Sequence, residues 1–171
     1  TDSLKFSVFN RTSFGIAAAD VNNDGWLDLY ITEKELAGDV SNHLMLNQDG
    51  VSFVEASSLY NVSDSNKKPY VPGFFDFDND HYPDLYIAQD RMAVNSVYKN
   101  VKGEFFEDIG MSSQANETMD GMSISLIDLN CDGFQDFYVS NIEEGNRFFL
   151  NKQDLTYDEI ADSLGISYNG I

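Results

Sequence analysis

A nine-residue acidic phrase, D-x-[DN]-x-D-x-x-x-D, occurs three times in this chain of 171 residues, at Asp20–Asp28, Asp76–Asp84 and Asp128–Asp136. The first aspartates lie 56 and 52 residues apart, and each copy runs into the same apolar phrase: Asp28-Leu-Tyr-Ile-Thr32, Asp84-Leu-Tyr-Ile-Ala88 and Asp136-Phe-Tyr-Val-Ser140. Two more phrases follow in constant order. An apolar pair closed by asparagine stands at Leu44–Asn47, Val97–Asn100 and Phe148–Asn151, and then come Phe53–Ser57, Phe106–Gly110 and Tyr157–Ala161. Such self-similarity means repeats that bury their faces against one another.

Each unit reads as a sheet. Runs rich in Phe, Tyr, Ile, Val and Leu are bounded by Gly, Asn and Asp, and no window carries a sustained helical stripe. The first unit predicts four strands, at Phe14–Ala19, Leu27–Thr32, His43–Asn47 and Phe53–Ser57. In the second of these, alternation puts Leu27, Leu29 and Ile31 on one face and Asp28, Tyr30 and Thr32 on the other, so both faces are partly apolar. A four-stranded antiparallel sheet recurring at about 50 residues has the spacing of a β-propeller blade. The expectation is an all-β array over 1–171, with blades at about 14–57, 69–110 and 121–162 and terminal segments 1–12 and 164–171.

Oxygen side chains at positions 1, 3, 5 and 9 of a loop can wrap one hard cation, because alternate residues project inward. These positions hold Asp20, Asn22, Asp24 and Asp28; Asp76, Asp78, Asp80 and Asp84; and Asp128, Asn130, Asp132 and Asp136. By analogy with other loops of this kind, position 7 adds a backbone carbonyl, here from Trp26, Tyr82 or Phe134. An all-oxygen, flexible donor set favours calcium over magnesium and over transition metals. Gly25 and Gly133 at position 6 suit a turn with positive φ, where the second loop has the strained alternative His81. An EF-hand is excluded, because position 12 holds Ile31, Ile87 and Val139 in place of a glutamate. The loops carry three, four and three carboxylates, and a like-charge pair about 4 Å apart costs roughly 4 kcal/mol at an effective dielectric near 20. The three expected calcium ions are therefore structural. At affinities of extracellular modules, millimolar calcium contributes up to about 1.4 kcal/mol per site.

The loop followed by Asp-Leu-Tyr-Ile resembles the FG-GAP or VCBS repeat of integrin α-subunit propellers and of many secreted proteins, and the phrases at Phe53 and Tyr157 look like the ASPIC/UnbV variety. The resemblance covers about Phe14 to Ala161 and implies the calcium ligands already named, including the carbonyls of Trp26, Tyr82 and Phe134. His81 and Pro83 depart from the family pattern. So does the number of blades, since related propellers commonly close with roughly six to eight. Three blades leave an uncovered face at each end. Two chains could pair into six blades, further blades could come from a longer chain, or units could stack head to tail into a filament. Segments such as Lys5–Phe9 could serve as strands lent to a neighbour's edge. The start at Thr1 in place of Met fits a removed leader and a cut from a longer chain.

Charge narrows the partners. With 29 acidic against 10 basic residues the formal net charge is −19, which repels nucleic acid and anionic membranes and attracts cations. Sequons at Asn10, Asn61 and Asn116 fall one per repeat between blades, where a glycan could sit. Cys131 occupies position 4 of the third loop, facing away from the expected ion, and a lone His43 makes no zinc site. Tyr30, Tyr86 and Tyr138 recur at one blade position, which indicates packing ahead of sugar stacking. No nucleophile elbow or phosphate-cradling loop occurs. The expected function is an extracellular, calcium-stabilised structural or adhesive module, not an enzyme, that acts through self-association and could build a filament. The alternatives are a carbohydrate- or protein-binding propeller, lectin-like or integrin-like, and accessory blades of a larger secreted enzyme.

Overall fold

The computed structural model describes residues 13–33, 41–65, 67–142 and 144–167. Three antiparallel sheets of four strands follow one another along the chain. The first comprises β1 (Ser13–Ala19), β2 (Asp28–Glu33), β3 (His43–Gln48) and β4 (Ser52–Glu55). The second comprises β5 (Pro69–Phe75), β6 (Asp84–Gln89), β8 (Ser96–Val101) and β9 (Phe105–Asp108), with a two-residue strand β7 (Ala93–Val94) between β6 and β8. After the single helical turn α1 (Gly110–Ser113) and the short β10 (Thr118–Met119), which pairs with β7, comes the third sheet. Its strands are β11 (Gly121–Ile127), β12 (Asp136–Asn141), β13 (Arg147–Asn151) and β14 (Tyr157–Glu159), closed by the turn α2 (Ala161–Leu164). Each sheet keeps its strands in chain order, as up-and-down hairpins require.

The units match down to their irregularities. Register shifts fall between Ser13 and Gly15, Pro69 and Val71, and Gly121 and Ser123, the same place in each first strand. Gly15 is needed there for its lack of a side chain: a Cβ would stand 2.6 Å from the Tyr70 carbonyl oxygen and from Pro72 Cδ of the next blade. The expected strands are present with ends shifted by a residue or two, while β7, β10 and the two helical turns are additions that a period-two pattern does not reveal.

The hydrophobic cores lie between blades. Tyr30 and Leu44 of the first sheet pack against Leu85, Ile87, Tyr98 and Phe106 of the second. On the other face of the second sheet, Phe75, Tyr86, Ala88 and Val97 pack against Phe137, Val139, Phe149 and Tyr157 of the third. Phe137 stacks on Phe149 at 4.8 Å between centroids and meets Tyr86 at 4.7 Å. Alternation along β6 thus serves two neighbours at once, which is why both of its faces are apolar. Tyr30 and Tyr86 are fully buried, and their hydroxyls donate to the carbonyls of Val62 and Ala115 in the inter-blade connections, at 2.7 and 3.3 Å. These two tyrosines pack, as their recurrence suggests.

The described blades form an open array. Cross-strand pairing puts Ile16, Leu29, Ile31 and Met45 on the outer face of the first blade and Ser123, Ser125, Tyr138 and Phe148 on the outer face of the third. Ile16 is 62% exposed, whereas Ile31 and Met45 are 9% and 3% exposed. Lys5–Phe9, Asn10 and the last four residues lie outside the described residues. Among the described residues no helix is long and apolar enough to cross a membrane.

Candidate metal centre

Every acidic loop joins the first strand of a blade to the second, and its ninth residue opens the second strand. Asp28, Asp84 and Asp136 there are wholly buried. One carboxylate oxygen of each accepts the N–H of loop position 2, from Val21 at 3.0 Å, Phe77 at 2.7 Å and Leu129 at 2.8 Å. The other accepts the N–H of the asparagine in the third strand, from Asn47, Asn100 and Asn151, at 2.8, 2.7 and 2.8 Å. Burial raises the Asp28 carboxyl above the ordinary range and pushes Asp84 up to about 7, against the pull of those N–H bonds.

The rest of the loop folds around its own side chains. The first aspartate receives two backbone N–H groups: Asp20 from Asp24 and Gly25, Asp76 from Asp80 and His81, and Asp128 from Asp132 and Gly133, all at 2.8–3.1 Å. Asp24, Asp80 and Asp132 accept the N–H of Trp26, Tyr82 and Phe134 at 2.9, 2.9 and 2.8 Å. That bond, then the Gln153 amide, holds the Asp132 carboxyl below the ordinary range. Such Asx-type turns need positive φ, found at position 6 in Gly25, His81 and Gly133 and at position 4 in Asn23, Asn79 and Cys131. An ionised carboxylate has about four lone-pair sites, so these bonds orient the oxygens and leave others for a cation.

The donor sets of the first and third loops are oxygen only, and calcium chemistry fits them. In both, the position-3 amide also bridges to position 5: Asn22 Nδ2 to Asp24 at 3.0 Å and Asn130 Nδ2 to Asp132 at 2.9 Å. The second loop differs. Oxygens of Asp76, Asp78 and Asp84 lie within 4.8 Å of one another, the one such acidic group of three among the described residues. Lys99 Nζ stands beside them, 2.8 Å from Asp78 Oδ1, 2.6 Å from Asp80 Oδ2 and 3.5 Å from Asp84 Oδ1. Nothing in the spacing of aspartates announces this lysine. The signal was its place beside Asn100, where the other repeats have Leu46 and Leu150.

The loops are also linked to one another. Asn23 Nδ2 donates to the His81 carbonyl at 3.1 Å and Asn79 Nδ2 to the Gly133 carbonyl at 3.0 Å, from position 4 of one loop to position 6 of the next. Cys131, at position 4 of the last loop, is exposed. Asn100 and Asn151 reach back to the preceding loop, donating to the carbonyls of Val21 and Phe77 at 2.8 Å each. Of the described sequon asparagines, Asn61 is exposed and Asn116 half-buried.

A family model described as an FG-GAP-like repeat matches residues 20–87 and 76–139, each match running from one acidic loop through the second strand of the following blade. No curated protein matches the chain. With more than half of its length matched, and with loops, strands and inter-blade packing repeating in register, the chain belongs to the FG-GAP-like repeat family.

Proposed function

We propose that this chain is a calcium-stiffened, non-catalytic structural or adhesive module that works outside the cell through contacts between blade faces, with a second copy of itself as the partner. The observation that carries this reading is the row of adjacent carboxylate loops in a chain of net charge −19. The first and third have no basic side chain among the ion pairs described. Asp20, Asn22, Asp24, Asp28 and the Trp26 carbonyl would hold one ion, and Asp128, Asn130, Asp132, Asp136 and the Phe134 carbonyl another. Calcium there supplies charge neutralisation and rigidity. FG-GAP repeats are typically extracellular domains, and millimolar calcium outside cells suits sites of modest affinity. A non-catalytic role is supported by the loop carboxylates, which are engaged with backbone N–H groups.

Self-association is supported by the form of the open faces. The first blade's outer face, where Ile16 is 62% exposed, is built on Leu29 and Ile31, equivalent to the Leu85 and Ile87 face that the second blade buries against the first. The third presents Tyr138 at the position of Tyr30 and Tyr86. The two ends are therefore complementary in the way the internal interfaces are, which suits a closing dimer or a head-to-tail filament. Light scattering in millimolar calcium and then in chelator tests the whole reading. A multimer that melts at lower temperature in chelator is expected, and a monomer indifferent to chelator would overturn it.

A further inference from the structure

We infer that Lys99 is the resident cation of the second loop, so that the central blade closes without calcium while the loops on either side depend on it; this rests on the calcium reading of those two loops. The second loop departs from its neighbours in two coupled ways. Position 3 is Asp78 where the others have Asn22 and Asn130, which removes the amide that bridges positions 3 and 5 and adds a negative charge. The residue before the strand asparagine is Lys99 where the others have Leu46 and Leu150. Its ammonium makes the missing bridge, to Asp78 at 2.8 Å and Asp80 at 2.6 Å, and approaches the buried Asp84 at 3.5 Å. One substitution thus restores the donor that the other removed and offsets the negative charge that it added.

The ammonium also stands where it opposes a metal. Asp78, Asp80 and Asp84 are three of the four side chains a calcium ion would take in this loop, beside Asp76, and Lys99 contacts all three. With its side chain only 11% exposed, the lysine does not swing freely in solvent. A divalent ion entering the loop would have to displace it or bind beside a positive charge, against Coulomb repulsion at short range in a partly buried site. Four carboxylates and one ammonium leave this loop at −3, the same as the three carboxylates of either neighbour, so the distinction lies in occupation of the site and not in its net charge.

Calcium stoichiometry of the whole chain, by equilibrium dialysis against calcium chloride, tests the inference. Two ions are expected for the natural sequence and three for Lys99→Met, which keeps the stem and removes the charge; the new site should bind at least about tenfold more tightly than any in the natural second loop. Should Lys99→Met fail to fold, the pair Asp78→Asn and Lys99→Leu, which copies the neighbouring loops, takes its place with the same expected count. A count that the substitution does not raise overturns the inference. If that count is three in both proteins, calcium binding stands and only the role of Lys99 falls; if it is zero in both, the calcium reading falls as well. Hydrogen exchange in chelator gives a readout that needs no metal. The amides of Asp80 and His81 should be protected relative to Asp24, Gly25, Asp132 and Gly133 in the natural chain, and equal protection would count against the resident ammonium.

Discussion

Asn100 Nδ2 donates to the carbonyl of Val21, 79 residues earlier in the chain, at 2.8 Å. The same amide reaches the Pro83 carbonyl at 3.0 Å, and its oxygen accepts the Gly103 N–H at 2.8 Å. One side chain therefore closes a hairpin, braces its own loop and grips the loop of the blade before it. Asn100→Ala should destabilise the protein by about 1–3 kcal/mol, the cost of buried polar groups left without partners. Asn47→Ala should cost less, because Asn47 Nδ2 donates to its own loop at Leu27 and no preceding loop is described. Urea midpoints of the two variants check the order.

Tyr86 and Tyr138 occupy one repeat position with different surroundings, the first wholly buried between blades and the second half-buried at the open end. Tyr86→Ala should lose about 3–5 kcal/mol, the range for emptying a large aromatic site. Tyr138→Ala should lose much less in dilute monomer and should weaken association. Thermal melts at two protein concentrations separate these effects, and equal costs at low concentration would contradict the packing described.

In chelator the stability should fall as pH rises from about 4 to about 7. Asp84 has a folded-state value of about 7 against an ordinary 3.8, and Asp28 is raised in the same direction. The folded state then binds more protons than the unfolded state across that window, so raising the pH removes the advantage. Calcium should reverse the part due to Asp28, whose ionised carboxylate it binds in the first loop, and leave the part due to Asp84 beside Lys99. Urea denaturation at several pH values, with and without calcium, would reject this account if both series ran in parallel.

Trp26 is the single tryptophan and sits at position 7 of the first loop. Terbium should occupy the calcium site there and emit when the indole is excited. Asp24→Asn should weaken that emission at a fixed terbium concentration, whereas Asp132→Asn in the third loop should leave it nearly unchanged.

The blades were legible in the sequence because strand alternation and the acidic loops recur in phase, and Tyr30, Tyr86 and the position-6 residues behave as their places imply. The asparagines closing the third strands were visible as a pattern, but their grip on the preceding loop depends on how blades stack, which period alone does not carry. Lys99 was hidden for the opposite reason. It breaks the pattern at one repeat, and its meaning appears only when the hairpin folds its ammonium onto Asp78 and Asp80, 21 and 19 residues away. The positive φ of Asn23, Asn79 and Cys131 likewise follows from loop closure, not from residue type.

The amides of Asn100 and Asn151, each tied to a loop one blade back, mean that a sheet does not hold all of its own hydrogen bonds. A cut between one sheet and the next severs such a tie. A segment cut from one acidic loop to just past the asparagine of the following blade spans two loops and carries its tie intact, and it contains one whole match to the family pattern. Grafts and truncations of this array should accordingly be cut out of phase with its sheets.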